Sequence, residues 1–471
     1  MESNGSDKPK IDLTNIQGDI WPGLPKRHQE LYFFTIKDES KFRGHLAALI
    51  PDITTAEEAV QNKGMIRQHK IEIAKGNKAP HLLSLGCVNI SFTSSGIGKL
   101  GKHDLKAGNF ENGMLADVRA GGPGGEGRDN PDDWEDKFKS PKKPIDGVIL
   151  VTGESRFSVE AKLHHVVHHF VGILPWNSSV EGLFTVRGSA REGENKGKEH
   201  FGFLDSVSQP QLEGLDDDVK EGEPALVPPG VIINNQPGYA TKQPEWATDG
   251  SFFVFRKLQQ YVPEFQKWVD DTAPKHNLNS GQLEARLMGR WKSGAPVCMT
   301  PWEDDPNLAR ANNYDYKPLD KQDKCPFAAH ARKCNPRADL SRPGKFVIIR
   351  RGIPYGQEVT HKEWKDNKTS DDRGLLFMCY QSNIANGFRM QQERWCNMET
   401  FPDDKDQETG DPGPGYDAIC GQPNPPDTFD ISLCDGDSKN CRINIKSCVV
   451  PRGGEYFFTP SIKALKDFTK K

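Results

Sequence analysis

No apolar run in this chain of 471 residues is longer than six, so nothing approaches the roughly 20 residues that a membrane-spanning helix needs. Neither sign of charge dominates. The 62 Lys and Arg face 66 Asp and Glu, a net −4 that gives no field to draw in nucleic acid or an anionic membrane surface. The ten cysteines include no C-x-x-C pair, which argues against a zinc ribbon. The first ten residues are polar and carry Asp7, Lys8 and Lys10, so they lack the apolar centre of a secretory signal; either the chain acts inside the cell or its signal has been removed. What remains is polar and turn-rich, with 45 Gly and 34 Pro. Its 35% of hydrophobic residues still suffices for a folded core spread over two or three domains. Cys434, Cys441 and Cys448 recur every seven residues in a polar stretch, which points to disulfides if the compartment is oxidising.

Short β-branched and aromatic runs between turn residues predict strands over Leu31–Ile36, Val88–Phe92, Gly147–Val151 and Leu183–Val186. Helical spacing of apolar residues lies between them, over Glu39–Ile50 and Glu154–Phe170. After the Pro- and Asp-rich stretch 211–244 the order recurs. Strands are expected over Ser251–Phe255, Phe346–Ile349, Leu375–Cys379 and Tyr456–Phe458, and helices over Val262–Asp270, Gln282–Trp291 and Gln381–Trp395. Two β-α-β-β-α-β units imply an α+β fold of two ferredoxin-like halves, 1–215 and 216–471.

Several motifs are weak. The glycine cluster Gly121–Gly127 follows no predicted strand and opens no helix, so it reads as a lid rather than a phosphate cradle. His164, His165, His168 and His169 form two i,i+4 pairs, yet no carboxylate or cysteine of known spacing accompanies them, and a solvated helix face is the simpler reading. Two segments say more. In 199–210 (EHFGFLDSVSQP), Asp205 sits in a serine-rich turn after two aromatic residues. In 325–333 (CPFAAHARK), His330 has a small apolar approach and is followed by cations, as suits an axial ligand beside a carboxylate-bearing porphyrin. Arg350 ends a strand-like run, a position from which a side chain is aimed rigidly.

The chain resembles the fungal type of dye-decolourising peroxidase along nearly its whole length. The matching segments are 15–20 (NIQGDI) with Leu24 and Pro25, 202–206 (GFLDS) where the family has G-x-x-D-G, 249–252 (DGSF), 285–294 (ARLMGRWKSG), the His330 segment, 350–352 (RRG), 374–377 (GLLF) and 454–458 (GEYFF). The resemblance implies two ferredoxin-like modules forming a dimeric α+β barrel-like fold around one haem b per chain. It also implies secretion. One departure is Ser206 in place of the motif's last glycine, beside Asp205, where it would tilt the carboxylate or crowd the pocket.

By this resemblance His330 is the axial ligand of the haem iron, with Asp417 of 415–421 (GYDAICG) accepting from its other ring nitrogen. Asp205 would move a proton between the two oxygens of hydrogen peroxide, and Arg350 would stabilise the charge that develops on the departing one. A carboxylate beside a cation stays ionised to low pH, so activity in acid is expected. Leu375 and Phe377 would wall the cavity, Ser206 would border it, and Arg332 would meet a haem propionate or else form a surface salt bridge. Tyr355 and Trp395 are candidates to carry electrons from bulky donors, Trp395 either as the surface radical site that the resemblance implies or as a core anchor of its amphipathic helix. The rival readings are a haem protein of this fold without strong peroxidase activity and a binding module that has lost haem. Physiological reductant and oligomeric state stay open.

Overall fold

The computed structural model describes residues 11–121, 129–139, 142–171, 177–216, 226–341, 343–405, 409, 413–422, 428–433 and 442–470. Most of the expected lid, Gly122–Gly127, lies outside them, as do Cys434 and Cys441. Nine strands form one antiparallel sheet: β1 (His28–Ile36), β2 (Cys87–Phe92), β3 (Gly147–Gly153), β4 (Val180–Ser189), β5 (Ser251–Gln260), β6 (Ile349–Arg350), β7 (Ile353–Tyr355), β8 (Gly374–Gln381) and, near the C-terminus, a strand over Val449–Thr459. Two further strands, β9 (Thr428–Ser432) and β10 (Arg442–Lys446), form a separate hairpin, so the last strand of the main sheet is β11.

The main sheet runs β4-β1-β3-β2-β11-β5-β8-β6, with β7 also on β8. Each half repeats one pattern, in which the first strand lies between the third and the fourth. This is the order that two split β-α-β units produce, and it matches the expectation from sequence. The halves join where β2 pairs with β11 at Phe92 and Phe458. At the other end β4 lies against β7 so closely that a Cβ on Gly188 would come 2.4 Å from Ile353 Cγ2. A shared aromatic core fills the interior, with Phe33 stacked on Phe184 at 4.6 Å and Phe253 on Tyr380 at 5.0 Å.

Some boundaries differ from those expected. Only Ile349 and Arg350 of the run from Phe346 pair with β8, because 343–345 form a helical turn and the Gln209 side chain takes the Arg350 backbone on the other edge. The helix expected to reach Trp291 is Ser280–Met288, stopped by Gly289 at φ +84°. Gln381 closes β8, and the following helix, Ala385–Cys396, is wound in the π form, as in the bond from Arg389 N to Ile384 O at 3.0 Å. Helix Ala56–Ala74 was not foreseen. It buries only Ala56, Ala59 and His69, so it has no apolar stripe, although Thr55 and Glu58 cap it reciprocally.

The closure at Gly188 is testable. Gly188→Ala is expected to destabilise the chain by about 1–3 kcal/mol through overpacking. Gly44→Ala, in open space on helix Glu39–Leu49, should raise stability by roughly 0.5–1 kcal/mol. Equal melting temperatures for the two variants would show that β4 and β7 do not depend on this contact.

Candidate active site

The segment after β4 folds as a clamped turn. The buried Glu199 accepts from the backbone N–H groups of Phe201 and Phe203, each at 2.9 Å, and from Gln260 Nε2 at 2.5 Å. Burial pushes its carboxyl above the ordinary value despite these donors. Asp205 N donates to Gly197 O at 2.9 Å, which fixes where the Asp205 side chain leaves the turn. Its Oδ1 accepts from Ser206 N at 2.5 Å and from Arg350 Nη1 at 3.4 Å. Oδ2 has no partner among the described residues. Ser206 itself stands at φ +59°, the left-handed region that glycine enters freely and serine does not.

Arg350 is aimed from β6. Gln209 clips its backbone on both sides, accepting from Arg350 N at 3.0 Å and donating to Arg350 O at 3.1 Å. Arg350 Nη2 donates to Ser208 O at 2.9 Å. Three of its five N–H groups remain uncommitted among the described residues, on a side chain that is 35% exposed. Asp205 and Arg350, 145 residues apart in sequence, thus meet with one carboxylate oxygen and three guanidinium N–H groups left over among the described residues.

His330 opens a five-residue helix, His330–Cys334. Its Nδ1 lies 3.0 Å from Asp417 Oδ2 and 3.2 Å from Oδ1, and Asp417 is fully buried. The backbone N–H groups of Ile419 and Cys420 both donate to Asp417 Oδ1 at 2.8 Å, which orients the carboxylate. Burial lowers the pKa of the His330 ring, but the Asp417 carboxylate overrides it and holds the ring well above the usual histidine range. Nε2 has no nitrogen or oxygen partner among the described residues; its one contact is Cys334 Sγ at 4.0 Å. The expected juxtaposition of His330 and Asp417 is therefore present, with one ring nitrogen locked and the other open.

Leu375 and Phe377 are half-buried, whereas Leu376 and Met378, on the barrel-facing side of β8, are buried. Phe377 meets Phe388 of helix Ala385–Cys396 at 6.0 Å, and Leu375 Cδ1 would stand 3.5 Å from a Cβ placed on Gly352.

Two expectations need correction. Arg332 neither reaches for a propionate nor forms a surface pair. It is buried, and all five of its N–H groups are used: by both oxygens of Asp339 and by the carbonyls of Leu319, Lys321 and Cys325. Trp395 is not at the surface. It is 4% exposed, stacked on Phe401 at 5.6 Å and set edge-on to Phe346 at 5.8 Å. Tyr355 is likewise buried, with its hydroxyl donating to Asp372 Oδ1 at 2.8 Å.

Comparison with known proteins decides which family builds this site. The family description "DyP dimeric alpha+beta barrel domain" matches residues 15–192, and "Dyp-type peroxidase, C-terminal" matches 301–408. A dye-decolorizing peroxidase of Mycetinis scorodonius is 36% identical over 98% of this chain and 89% of its own length. The chain belongs to the dye-decolourising peroxidase family. One from Auricularia auricula-judae is 34% identical over 97% of this chain and 86% of its own. Among solved structures, an ancestral D-type dye-decolourising peroxidase superposes with a TM-score of 0.88 at 44% identity, covering 98% of this chain and all of that one. A Pleurotus ostreatus variant gives 0.88 at 38%, with the same coverage of both chains.

Haem is the group that this family implies, and the residues fit it: an imidazole with one ring nitrogen free of nitrogen or oxygen partners among the described residues and a buried carboxylate on the other. Two contributors escaped sequence reasoning, Glu199 and Gln209. Both sit within the singled-out segment 199–210, but only their long-range partners, Gln260 and Arg350, show their roles.

Ser206→Gly keeps the N–H that Asp205 accepts and removes the left-handed strain, which costs roughly 1 kcal/mol. The melting temperature should rise by about 1–2 °C, with the peroxide step at least as fast as in the native chain. No change in either would show that serine sits in this turn without strain. Trp395→Phe should lower the melting temperature and reduce the oxidation of bulky dyes and small phenols equally; selective loss on dyes would instead make Trp395 part of an electron path.

Proposed function

We propose that this peroxidase binds one haem b per chain through His330 Nε2 and uses hydrogen peroxide to oxidise phenols and dyes, with Asp205 and Arg350 handling the peroxide. The observation that carries this reading is the contact of Asp205 with Arg350, which leaves Asp205 Oδ2 and three Arg350 N–H groups without partners among the described residues. Haem bound here supplies the iron at which the O–O bond breaks.

Asp205 Oδ2 is the base that takes the proton from one peroxide oxygen and returns it to the other. Oδ1, held by Ser206 N–H, keeps the carboxylate from rotating as the proton moves. Arg350 offers donors to the departing oxygen as it gains charge, and its own contact with Asp205 keeps cation and carboxylate side by side. Asp417 fixes the His330 tautomer: with Nδ1–H turned to the carboxylate, Nε2 keeps its lone pair for iron. Leu375 and Phe377 keep the cavity apolar. Donor class is supported by a dye-decolourising peroxidase solved with 2,6-dimethoxyphenol, which superposes at 0.83 and is 36% identical. The rival reading, haem without peroxidase activity, loses its ground because Ser206 still supplies the N–H to Asp205.

Asp205→Asn is expected to bind haem normally and to slow the peroxide step by about 10²-fold or more. Stopped-flow mixing of the haem-loaded variant with peroxide reads this directly. Native rates would shift the proton transfer to another group. His330→Ala should lose most bound haem, read as loss of the Soret band; an unchanged band would remove His330 from the axial position.

A further inference from the structure

The peroxidase chemistry leaves one cluster of titratable side chains unused, in the first repeat, where helix Arg156–Val171 packs on β1 and β3 beside helix Glu39–Leu49. The four histidines of helix Arg156–Val171 form two i,i+4 pairs that spacing alone treats alike. The structure separates them. His164 and His168 are exposed, with ring centroids 6.4 Å apart and no ion pair among the described residues. His165 and His169 instead meet Asp52, from the turn Ile50–Asp52 that follows helix Glu39–Leu49. Asp52 Oδ2 lies 3.0 Å from His169 Nε2 and 3.4 Å from His165 Nε2. One donor atom from each of the three residues lies within 4.8 Å of the other two.

Zinc holds nitrogen and oxygen ligands at about 2.0–2.2 Å, which sets tetrahedral ligand atoms about 3.3–3.6 Å apart. Both Asp52 contacts lie within about 0.3 Å of that spacing. The third edge joins two rings whose centroids are 5.3 Å apart, and His165, 58% exposed, has room to turn toward its neighbour. The carboxylate is divided as a metal ligand requires. Lys162 donates to Oδ1 at 2.7 Å, and Oδ2 is left to the imidazoles. Burial alone would raise the Asp52 carboxyl, but its bonds with Lys162 and His169 hold it below the ordinary value, so the oxygen is an anion. Two imidazoles and a carboxylate suit zinc, nickel or copper better than calcium or magnesium. The Lys162 ammonium opposes any cation placed here, which makes the site one of moderate affinity.

We infer that Asp52 Oδ2, His165 Nε2 and His169 Nε2 form a site for a divalent transition-metal cation such as Zn²⁺, with water as the fourth ligand. A neutral imidazole has one lone pair and one N–H. Without a cation, Nε2–H of His169 donates to Oδ2; with one, both rings carry the hydrogen on Nδ1 and turn the Nε2 lone pair to the cation. No oxidation state changes. The cation ties the turn at Asp52 to a helix 117 residues further along the chain, and so braces the two helices that lie side by side over the first repeat. The site shares no residue with the pairs His330–Asp417 and Asp205–Arg350, so one chain can hold haem and cation together.

The test is a calorimetric titration of the full, haem-loaded chain with Zn²⁺, after dialysis against a chelator that is then removed. Saturation at one Zn²⁺ per chain is expected. His165→Ala, His169→Ala and Asp52→Asn should each weaken binding by about tenfold or more. The double variant His164→Ala with His168→Ala should bind as the native chain does, because that pair has no carboxylate. No binding by the native chain, native affinity in His165→Ala, or equal loss in the double variant overturns the site. Carbethoxylation needs no variant, since diethyl pyrocarbonate attacks the ring lone pair that a cation would occupy. Saturating Zn²⁺ should slow modification of His165 by about tenfold or more while His164 and His168 react at their metal-free rates, read peptide by peptide in the mass spectrometer. Equal protection of both pairs, or of neither, overturns the site as well.

Discussion

The contact between His330 Nδ1 and Asp417 joins two segments 87 residues apart, the short helix His330–Cys334 and the loop 413–422. The loop carries one isolated antiparallel bridge, Gly415 with Ile431 of β9. The loop is also tied through Asp417 itself, whose backbone N–H donates to Cys396 O at 2.8 Å, and through Ala418 N, which donates to Ala328 O at 3.1 Å. Two backbone N–H groups and the His330 ring meet this buried carboxylate, which fixes the orientation of the ring. The orientation of the His330 ring, with Nδ1 turned to the carboxylate and Nε2 away from it, follows from this one pair.

On the other side of the site, rigidity has a different source. Arg350 belongs to a strand of two residues, which on its own would not aim a long side chain. The Gln209 amide acts as the missing neighbouring strand, and β8 completes the other edge at Cys379. The same stretch, 199–210, carries Asp205, so one loop both supplies the base and positions its cation. Ser206 shows the tension in that loop, since the turn demands a left-handed residue and the chain places serine there.

Much of this was legible in the sequence because local rules and the global fold agree. Alternating β-branched and aromatic runs marked seven of the eight strands expected in the two repeats, the eighth meeting β6 only at Ile349, and motif order singled out Asp205, His330, Arg350 and Asp417, which the structure sets in two pairs. Failures arose where the deciding partner is distant or the pattern is polar. Arg332 reads as a free cation until Asp339 and three carbonyls surround it. Trp395 reads as one face of an amphipathic helix until Phe401 and Phe346 close over it. Helix Ala56–Ala74 is held by its caps and a few small residues, so hydrophobic periodicity could not reveal it. The proximity of Cys334, Cys396 and Cys420 is invisible to spacing rules, because three separate segments bring them together.

The most direct test of the central pair is the iron–histidine stretching frequency of the reduced, haem-loaded protein, compared between the native chain and Asp417→Asn. A carboxylate accepting from Nδ1–H makes the imidazole a stronger donor, and an amide does so less well. The frequency is expected to fall in the variant while haem stays bound. An unchanged frequency would contradict the claim that Asp417 tunes the ring through Nδ1.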